Sequence, residues 1–505
     1  MRWLHAVVFA SCASALAVEI CASRLLAPYF GNSTLVWANV IGLILVYLSV
    51  GYWLGGQVAD RHPRRRVLGL ILVAAALLTA ALPFIAHPIL DLALRGFAAV
   101  SIGAVAGSFF ATLLLFSAPV TLLGMASPFA LRLSLARLDQ AGRTSGGLSS
   151  LATVGAIVGT FSSALALIPA IGTQRTMLVA ALLVALVAIP LLARPAAMAS
   201  GLIAGLLVVP PGAVKPVAGS LAERESAYQY IQVIRESDGK TVMRIGEGVA
   251  DQSVYRRNAV LTGGEWDMAL VVPPLLTTPL HRVLIIGNAA GTTARALSVL
   301  YPGARLDGVE LDPVVSELGR EYLGEGAVRG LHVVAADGRA YPTTTAQRYD
   351  LIVVDAYRQT YIPFFMTTQE FFAQLRQHLE PGGGIALNVE RVPGDDRLVQ
   401  AIAGTAATVL PQVWVWPALR FNELVFALAA PISSEQMSKR LLNLPSDLQP
   451  LGPLVEATVR HEPPASDPLT DDHAPVEWLT DRALLAYIAA GGRLDERLLP
   501  TAPAR

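Results

Sequence analysis

Apolar runs fill the first 211 residues, at about 5–23, 34–58, 67–90, 97–124, 147–170 and 174–193, with a shorter one at 197–211 that closes on Pro210-Pro211. Six of them are close to or above the ~20 residues that a helix needs to cross a bilayer. A water-soluble domain does not string six such runs together, because its helices keep a polar face. The pattern predicts a multi-span α-helical membrane domain over 1–211, of six or seven segments, in a lipid bilayer. Met1-Arg2 and the small residues up to Ala15 have the look of a cleaved signal peptide. The apolar stretch continues past Ala15 and further runs follow, so it reads as a retained first helix.

Charge separates the two halves. Residues 1–215 hold four acids (Glu19, Asp60, Asp91, Asp139) and thirteen bases, which leaves 34 acids and 25 bases, of the 38 of each, for the remainder. An acidic second half argues against nucleic acid as a partner. Both cysteines, Cys12 and Cys21, lie in the first apolar run, so cysteine usage says nothing of the second half's redox compartment.

Arg61, Arg64, Arg65 and Arg66 follow the second run, and Arg132, Arg137 and Arg143 follow the fourth. Basic loops stay cytoplasmic, which puts the amino terminus inside. Six crossings then leave the second half in the cytoplasm and seven would export it. Run 197–211 is therefore read as short of a full span. Glu19 is the one acid of the first run, and an intramembrane carboxylate is a functional candidate by default; a local ion pair with Arg24 is the plain alternative. Gly55 to Arg66 resembles the loop between the second and third helices of major facilitator transporters, and reads equally as a basic turn after a helix-ending glycine pair.

A linker at 212–221 separates this half from a different pattern. Tyr230–Ile234 and Thr241–Ile245 alternate around Asp238-Gly239, the signature of a β-hairpin, within a small β domain expected over 222–279. From 280 to 430, apolar strands alternate with helices, which predicts a parallel sheet of Rossmann-like, methyltransferase type. Ligands of such a sheet sit at the carboxyl ends of its strands. Residues 431–505 form a carboxyl-terminal extension.

The strand ends carry the chemistry. Gly287 to Gly291 follows the strand 282–286 and opens a helix, where a glycine turn lets the backbone approach a ligand. Glu310 ends the next strand 23 residues later, at the distance where an acid accepts hydrogen bonds from both ribose hydroxyls. Asp337-Gly338 ends the third strand, suited to an exocyclic amine or to a simple turn. Asp355 ends Tyr349–Val354, where a carboxylate projects into the crevice as general base, cation anchor or structural acid. Thr367-Thr-Gln-Glu370 reads as a capping box and Pro381–Gly384 as a helix stop. That leaves 356–366 as an aromatic loop over the site. Nothing in the pattern calls for a metal.

On these motifs, residues 222–430 resemble spermidine synthases, the polyamine aminopropyltransferases, and the whole chain resembles their membrane-fused bacterial relatives. Ser226-Ala-Tyr-Gln229 resembles the family's Tyr-Gln element, Val283–Gly287 its glycine-loop strand, and Val309-Glu310-Leu-Asp312 its Val-Glu-Ile-Asp motif. Asp337-Gly338 resembles its adenine-contacting pair, and Tyr349–Asp355 the strand that delivers its catalytic aspartate. The resemblance implies that Gln229, Gly287, Gly291, Glu310, Asp337 and Gly338 bind the nucleoside co-substrate and that Asp355 is catalytic. It implies decarboxylated S-adenosylmethionine as co-substrate, with S-adenosylmethionine as the alternative, no permanently bound cofactor, and a small amine such as putrescine as acceptor. It also implies a homodimer or higher oligomer in the bacterial inner membrane.

Two departures bear on the activity. The family run after the fourth strand has a second acid, where this chain has Ala356-Tyr-Arg358-Gln-Thr360. The glycine loop is Gly-Asn-Ala-Ala-Gly in place of a tri-glycine with Asp. A methyltransferase, or a transporter or sensor with a non-catalytic nucleoside-binding domain, are the alternative readings.

Overall fold

A computed structural model describes residues 2–30, 34–97, 103–135, 141–210, 212–246, 251–357 and 361–492. The chain folds as two units. The first is chiefly Met1–Val217, joined by Glu223–Ile231, and the second chiefly Gln232–Ile245 and Val249–Arg505.

The first unit is a bundle of α1 (Arg2–Phe30), α2 (Thr34–Arg61), α3 (Arg65–Phe97), α4 (Gly103–Gly124), α5 (Ala126–Ser134), α6 (Ala141–Ser162), α7 (Ile168–Leu192) and α8 (Arg194–Val208). Among the described residues, five stretches are long and apolar enough to cross a membrane: Trp3–Phe30, Val36–Arg61, Arg65–Leu94, Ala106–Ser134 and Ala141–Leu192. The last runs for 52 residues, over twice what one crossing takes. It passes through a π-helical turn at Ser163–Leu167 and breaks at Gly172, whose φ is 81°. It therefore contains the fifth and sixth apolar runs. The seventh run is α8, whose 15 residues reach only ~22 Å of a ~30 Å hydrocarbon core.

Small residues let these helices approach backbone to backbone. A side chain at Gly155 or Gly159 would run into the Phe9 and Ala13 carbonyls of α1. One at Gly55 would meet Met125, so the glycine of the transporter-like loop has a packing role. Asp60 of that loop accepts from Arg132 Nε at 2.9 Å. Arg24 donates to the Ser226 and Ala227 carbonyls, while Glu19 Oε2 is buried without a hydrogen-bond partner. Arg137 lies outside the described residues.

Strands β1 (Ser220–Glu225), β2 (Tyr230–Arg235), β3 (Thr241–Ile245) and β4 (Asp251–Tyr255) form a four-stranded sheet in that order. The second unit continues with β5 (Arg282–Ile286), α9 (Thr292–Leu300), β6 (Arg305–Glu310), α10 (Pro313–Tyr322), β7 (Leu331–Ala335), α11 (Tyr341–Thr344) and β8 (Tyr349–Val354). Then come α12 (Gln369–Gln377), β9 (Leu379–Glu390), α13 (Arg397–Val409), β10 (Gln412–Trp416), β11 (Asn422–Leu428), α14 (Ser434–Leu441), α15 (Gly452–Thr458), β12 (Arg460–Glu462) and α16 (Val476–Ala489).

The eight-stranded sheet runs β12-β10-β11-β9-β8-β5-β6-β7. Strands β7, β6, β5, β8 and β9 are parallel, and β11, β10 and β12 add antiparallel pairs. The chain builds outward from β5 to β7, then crosses back to lay β8 on the other side of β5. That reversal makes the carboxyl ends of β5 and β8 a topological switch point, where such sheets open a crevice. Every residue of β8 is buried, as a central parallel strand covered on both faces requires.

Three local expectations shift. The N-cap of α12 is Thr368, whose Oγ1 accepts from Phe371 N, not Thr367. Pro381–Gly384 is not a stop but part of β9, which begins at Leu379 beside Tyr349. Within the β domain expected over 222–279, Glu265–Val271 forms a 3-10 helix and not a strand.

Candidate active site

Gly287 leaves β5 with φ 85°, and a side chain there would run into the Asp355 carbonyl. Asp355 N donates to Ile286 O at 2.8 Å, so the glycine turn and the end of β8 are stitched together. Gly287 N and Asn288 N both donate to Val309 O (2.9 and 3.1 Å), Ala289 N to Glu310 Oε2 (2.9 Å) and Ala290 N to Ser253 Oγ of β4 (2.9 Å). Gly291, at φ 77°, is the N-cap of α9. The loop amides are thus used inside the protein rather than left open to a phosphate, an arrangement that suits an uncharged nucleoside better than a pyrophosphate.

Glu310 is held at both oxygens. Oε1 accepts from Asp312 N at 3.0 Å and Oε2 from Ala289 N at 2.9 Å. Each carboxylate oxygen keeps a lone pair for a further donor. Burial raises its pKa to about 7, against the two backbone hydrogen bonds. Beneath the loop, Asn288 Nδ2 donates to Glu325 Oε1 at 2.8 Å, and burial raises the fully enclosed Glu325 to about 7.

Asp355 is half-buried, and its Oδ1 accepts from Asn388 Nδ2 of β9 at 2.9 Å. Asn422 Nδ2 donates to Asn388 Oδ1 at 3.0 Å, which turns the Asn388 amide toward Asp355. Tyr357 OH donates to the Asn388 carbonyl at 3.1 Å. Burial raises the Asp355 carboxyl to about 6, and the Asn388 bond opposes that rise.

Asp337 is exposed, and its Oδ1 accepts from Arg339 N (2.7 Å) and Ala340 N (3.1 Å), closing the turn after β7. Gly338 packs on Ile286, where a side chain has no room. Asp471 of the carboxyl-terminal extension pairs with Arg339 (2.6 Å) and accepts from Thr368 Oγ1 (2.6 Å). These contacts tether the extension to the turn after β7 and to the start of α12. Gln229 belongs to the first unit, in the turn before β2, where its N–H donates to Ser226 Oγ at 3.0 Å. Arg358 and Thr360 lie outside the described residues.

The crevice thus brings together Gly287, Gly291, Glu310 and Asp355, with Gly338 packed below. Asn388 and Glu325 went unnoticed in the sequence. Asn388 and Glu390 do leave a trace, as two polar residues in the otherwise apolar Ile385–Val389 run and its end. Among the described residues no group of three or more His, Cys, Asp or Glu side chains is placed to hold a metal.

Residues 267–419 match the spermine/spermidine synthase domain. A probable polyamine aminopropyl transferase of Bifidobacterium longum is 34% identical over 314 residues, 57% of this chain and 70% of that protein. A polyamine aminopropyltransferase of Vibrio vulnificus is 29% identical over 182 residues, 35% of this chain and 60% of that protein. A solved structure of a probable spermidine synthase from Corynebacterium glutamicum aligns at 18% identity and a TM-score of 0.40, over 53% of this chain and 94% of that one. The chain belongs to the polyamine aminopropyltransferase family, and with it to the transferases.

Proposed function

We propose that the protein is a membrane-anchored aminopropyltransferase that uses decarboxylated S-adenosylmethionine and a small amine such as putrescine. Glu310 accepts from the ribose hydroxyls, the glycine turn lies along the nucleoside, and Asp337-Gly338 flanks the base. The amine nitrogen attacks the carbon beside the sulfonium. The carbon–sulfur bond breaks with its electrons going to sulfur, methylthioadenosine leaves, and the new ammonium gives one proton to Asp355. Catalysis of this kind rests on alignment of nucleophile and leaving group and on one proton transfer.

The observation that carries this reading is the pair of carboxylates on either side of β5. Glu310 at the end of β6 is fixed by Ala289 and Asp312, and Asp355 at the end of β8 is fixed by Asn388. A base raised to about 6 is ionised yet still basic at neutral pH. Methyl transfer from S-adenosylmethionine is favoured by one observation: the glycine loop carries Ala289-Ala290 where an acid would hold the donor's ammonium. In the membrane, the Arg61–Arg66 side faces the cytoplasm, and so does the second unit.

Incubation of the purified full chain with each sulfonium donor and putrescine decides between the two. Methylthioadenosine from the decarboxylated donor is the expected product. S-adenosylhomocysteine from S-adenosylmethionine replaces this reading with methyl transfer.

A further inference from the structure

Asn288 adds a side chain to the glycine turn, and the fold encloses it. Asn288 is 4% exposed, and Glu325, which opens the short 3-10 helix Glu325–Ala327 after α10, is 2% exposed. Asn288 Nδ2 donates to Glu325 Oε1 at 2.8 Å. Room for the pair is kept on two sides. A side chain at Gly308 of β6 would run into Asn288, and one at Gly319 of α10 would crowd Ala290 and Glu325 Oε2.

The pair is short of one donor. Asn288 Oδ1 and Glu325 Oε2 are both buried, and neither has a hydrogen-bond partner among the described residues. Bare buried acceptors are costly. A carboxylate can only accept, whereas a protonated carboxyl has an O–H to give. One proton on Glu325 Oε2 turns a bare acceptor into the donor that the pair lacks, as in the two-bond pairing of an acid with an amide.

The charged and titratable groups around Glu325 allow this. Arg320 of α10 has its Nη1 3.8 Å from Oε2, too far for a hydrogen bond, on a half-exposed side chain. Arg295 of α9 donates to the Leu323 and Val254 carbonyls. Tyr255 of β4 packs on Gly324 through its ring. Glu310, at the end of β6, is a like charge that favours the neutral form, and burial is the larger cause of the rise of Glu325 to about 7.

The nucleoside turn rests on this pair. Asn288 N donates to Val309 O at 3.1 Å, and Asn288 O accepts from Gly291 N at 2.9 Å. The next residue, Ala289, has φ 45°, a left-handed conformation that a non-glycine residue keeps only where its neighbours hold it. In that conformation Ala289 N donates to Glu310 Oε2 at 2.9 Å.

We propose that Glu325 carries a proton beneath the glycine turn and, through Asn288, holds Ala289 in the conformation that gives Glu310 its N–H donor. Glu325 is thus a positioning residue for the nucleoside site, and the inference rests on the reading above that Glu310 binds the ribose. Two enclosed carboxyls on one turn do not ionise together cheaply. When the ribose draws the charge onto Glu310, Glu325 therefore keeps its proton to about pH 8.

Two measurements on the full chain in detergent test this. The first is infrared difference spectroscopy of wild type against Glu325→Gln at about pH 6, where an ordinary glutamate is ionised. The carbonyl band of a protonated carboxyl is expected in wild type and not in the variant; carboxylate bands in its place overturn the proposal. The second is calorimetry with methylthioadenosine across the same and more alkaline pH. Wild-type affinity should rise as Glu310 ionises and then fall about tenfold as Glu325 does, of the order of one hydrogen bond. Glu325→Ala should bind about tenfold more weakly throughout. Glu325→Gln, whose amide both accepts and donates as the protonated acid does, should restore the affinity that alanine loses and abolish the alkaline fall. A glutamine variant that keeps the fall, or binds as weakly as the alanine variant, overturns the proposal. If the carboxyl band is present but wild type binds no methylthioadenosine, the nucleoside reading falls and takes the positioning role with it. If wild type binds and its pH profile matches that of Glu325→Gln, the positioning role falls alone.

Discussion

Asn388 donates its amide to Asp355 at 2.9 Å, and Asn422 fixes which way that amide points. The bond favours the charged carboxylate and works against the rise that burial imposes. Asn388→Ala removes it. The Asp355 pKa then climbs further, and the acid limb of the pH–rate profile moves to higher pH, with turnover at pH 7 lower by about tenfold or more. Rates measured from pH 5 to 9 check this; an unmoved acid limb means that Asp355 does not set it.

Glu310→Ala is expected to cost roughly 2–4 kcal/mol of nucleoside affinity, from two hydrogen bonds to a charged acceptor. Calorimetry with methylthioadenosine measures it. An unchanged dissociation constant removes Glu310 from the site.

Glu265 at about 8, Glu310 and Glu325 at about 7, and Asp267 and Asp355 at about 6 all titrate high when the protein is folded, in each case chiefly from burial. The folded state holds their protons more tightly than the unfolded chain does. The stability this gives is complete below about pH 4 and is lost as pH rises through 6 to 8. Thermal unfolding of the full chain should move to lower temperature from pH 5 to pH 8, with several kcal/mol of stability lost in all after allowance for the partial exposure of Asp355. Stabilisation by methylthioadenosine should grow over the same range, because ionised Glu310 is the better acceptor. A flat profile in both contradicts the assignment.

A reporter fused after Arg505 tests the topology. A fluorescent-protein fusion should glow and an alkaline phosphatase fusion should stay silent. The reverse pattern means an odd number of crossings.

The catalytic strands were legible in the sequence because a buried parallel strand is an uninterrupted apolar run, and the first polar residue after it marks the crevice. Glu310 and Asp355 were found that way. Asn388 and Glu325 were not, because each reaches the site through tertiary packing from another segment. Asn388 was further hidden by Pro381–Gly384, which reads as a stop but lies inside β9. Asp337 shows the opposite limit: the motif locates the strand end, but the carboxylate turns into its own backbone turn. In the first half, apolar length gave the helices, while the break at Gly172 depends on a backbone angle that composition does not encode.

The most direct test is methylthioadenosine release by wild type and Asp355→Asn, with decarboxylated S-adenosylmethionine and putrescine as substrates. Wild type should release it, and the variant should turn over about 10²–10⁴ times more slowly with nucleoside affinity nearly intact. An Asp355→Asn variant that keeps most of its turnover would contradict the account and make Asp355 a structural residue.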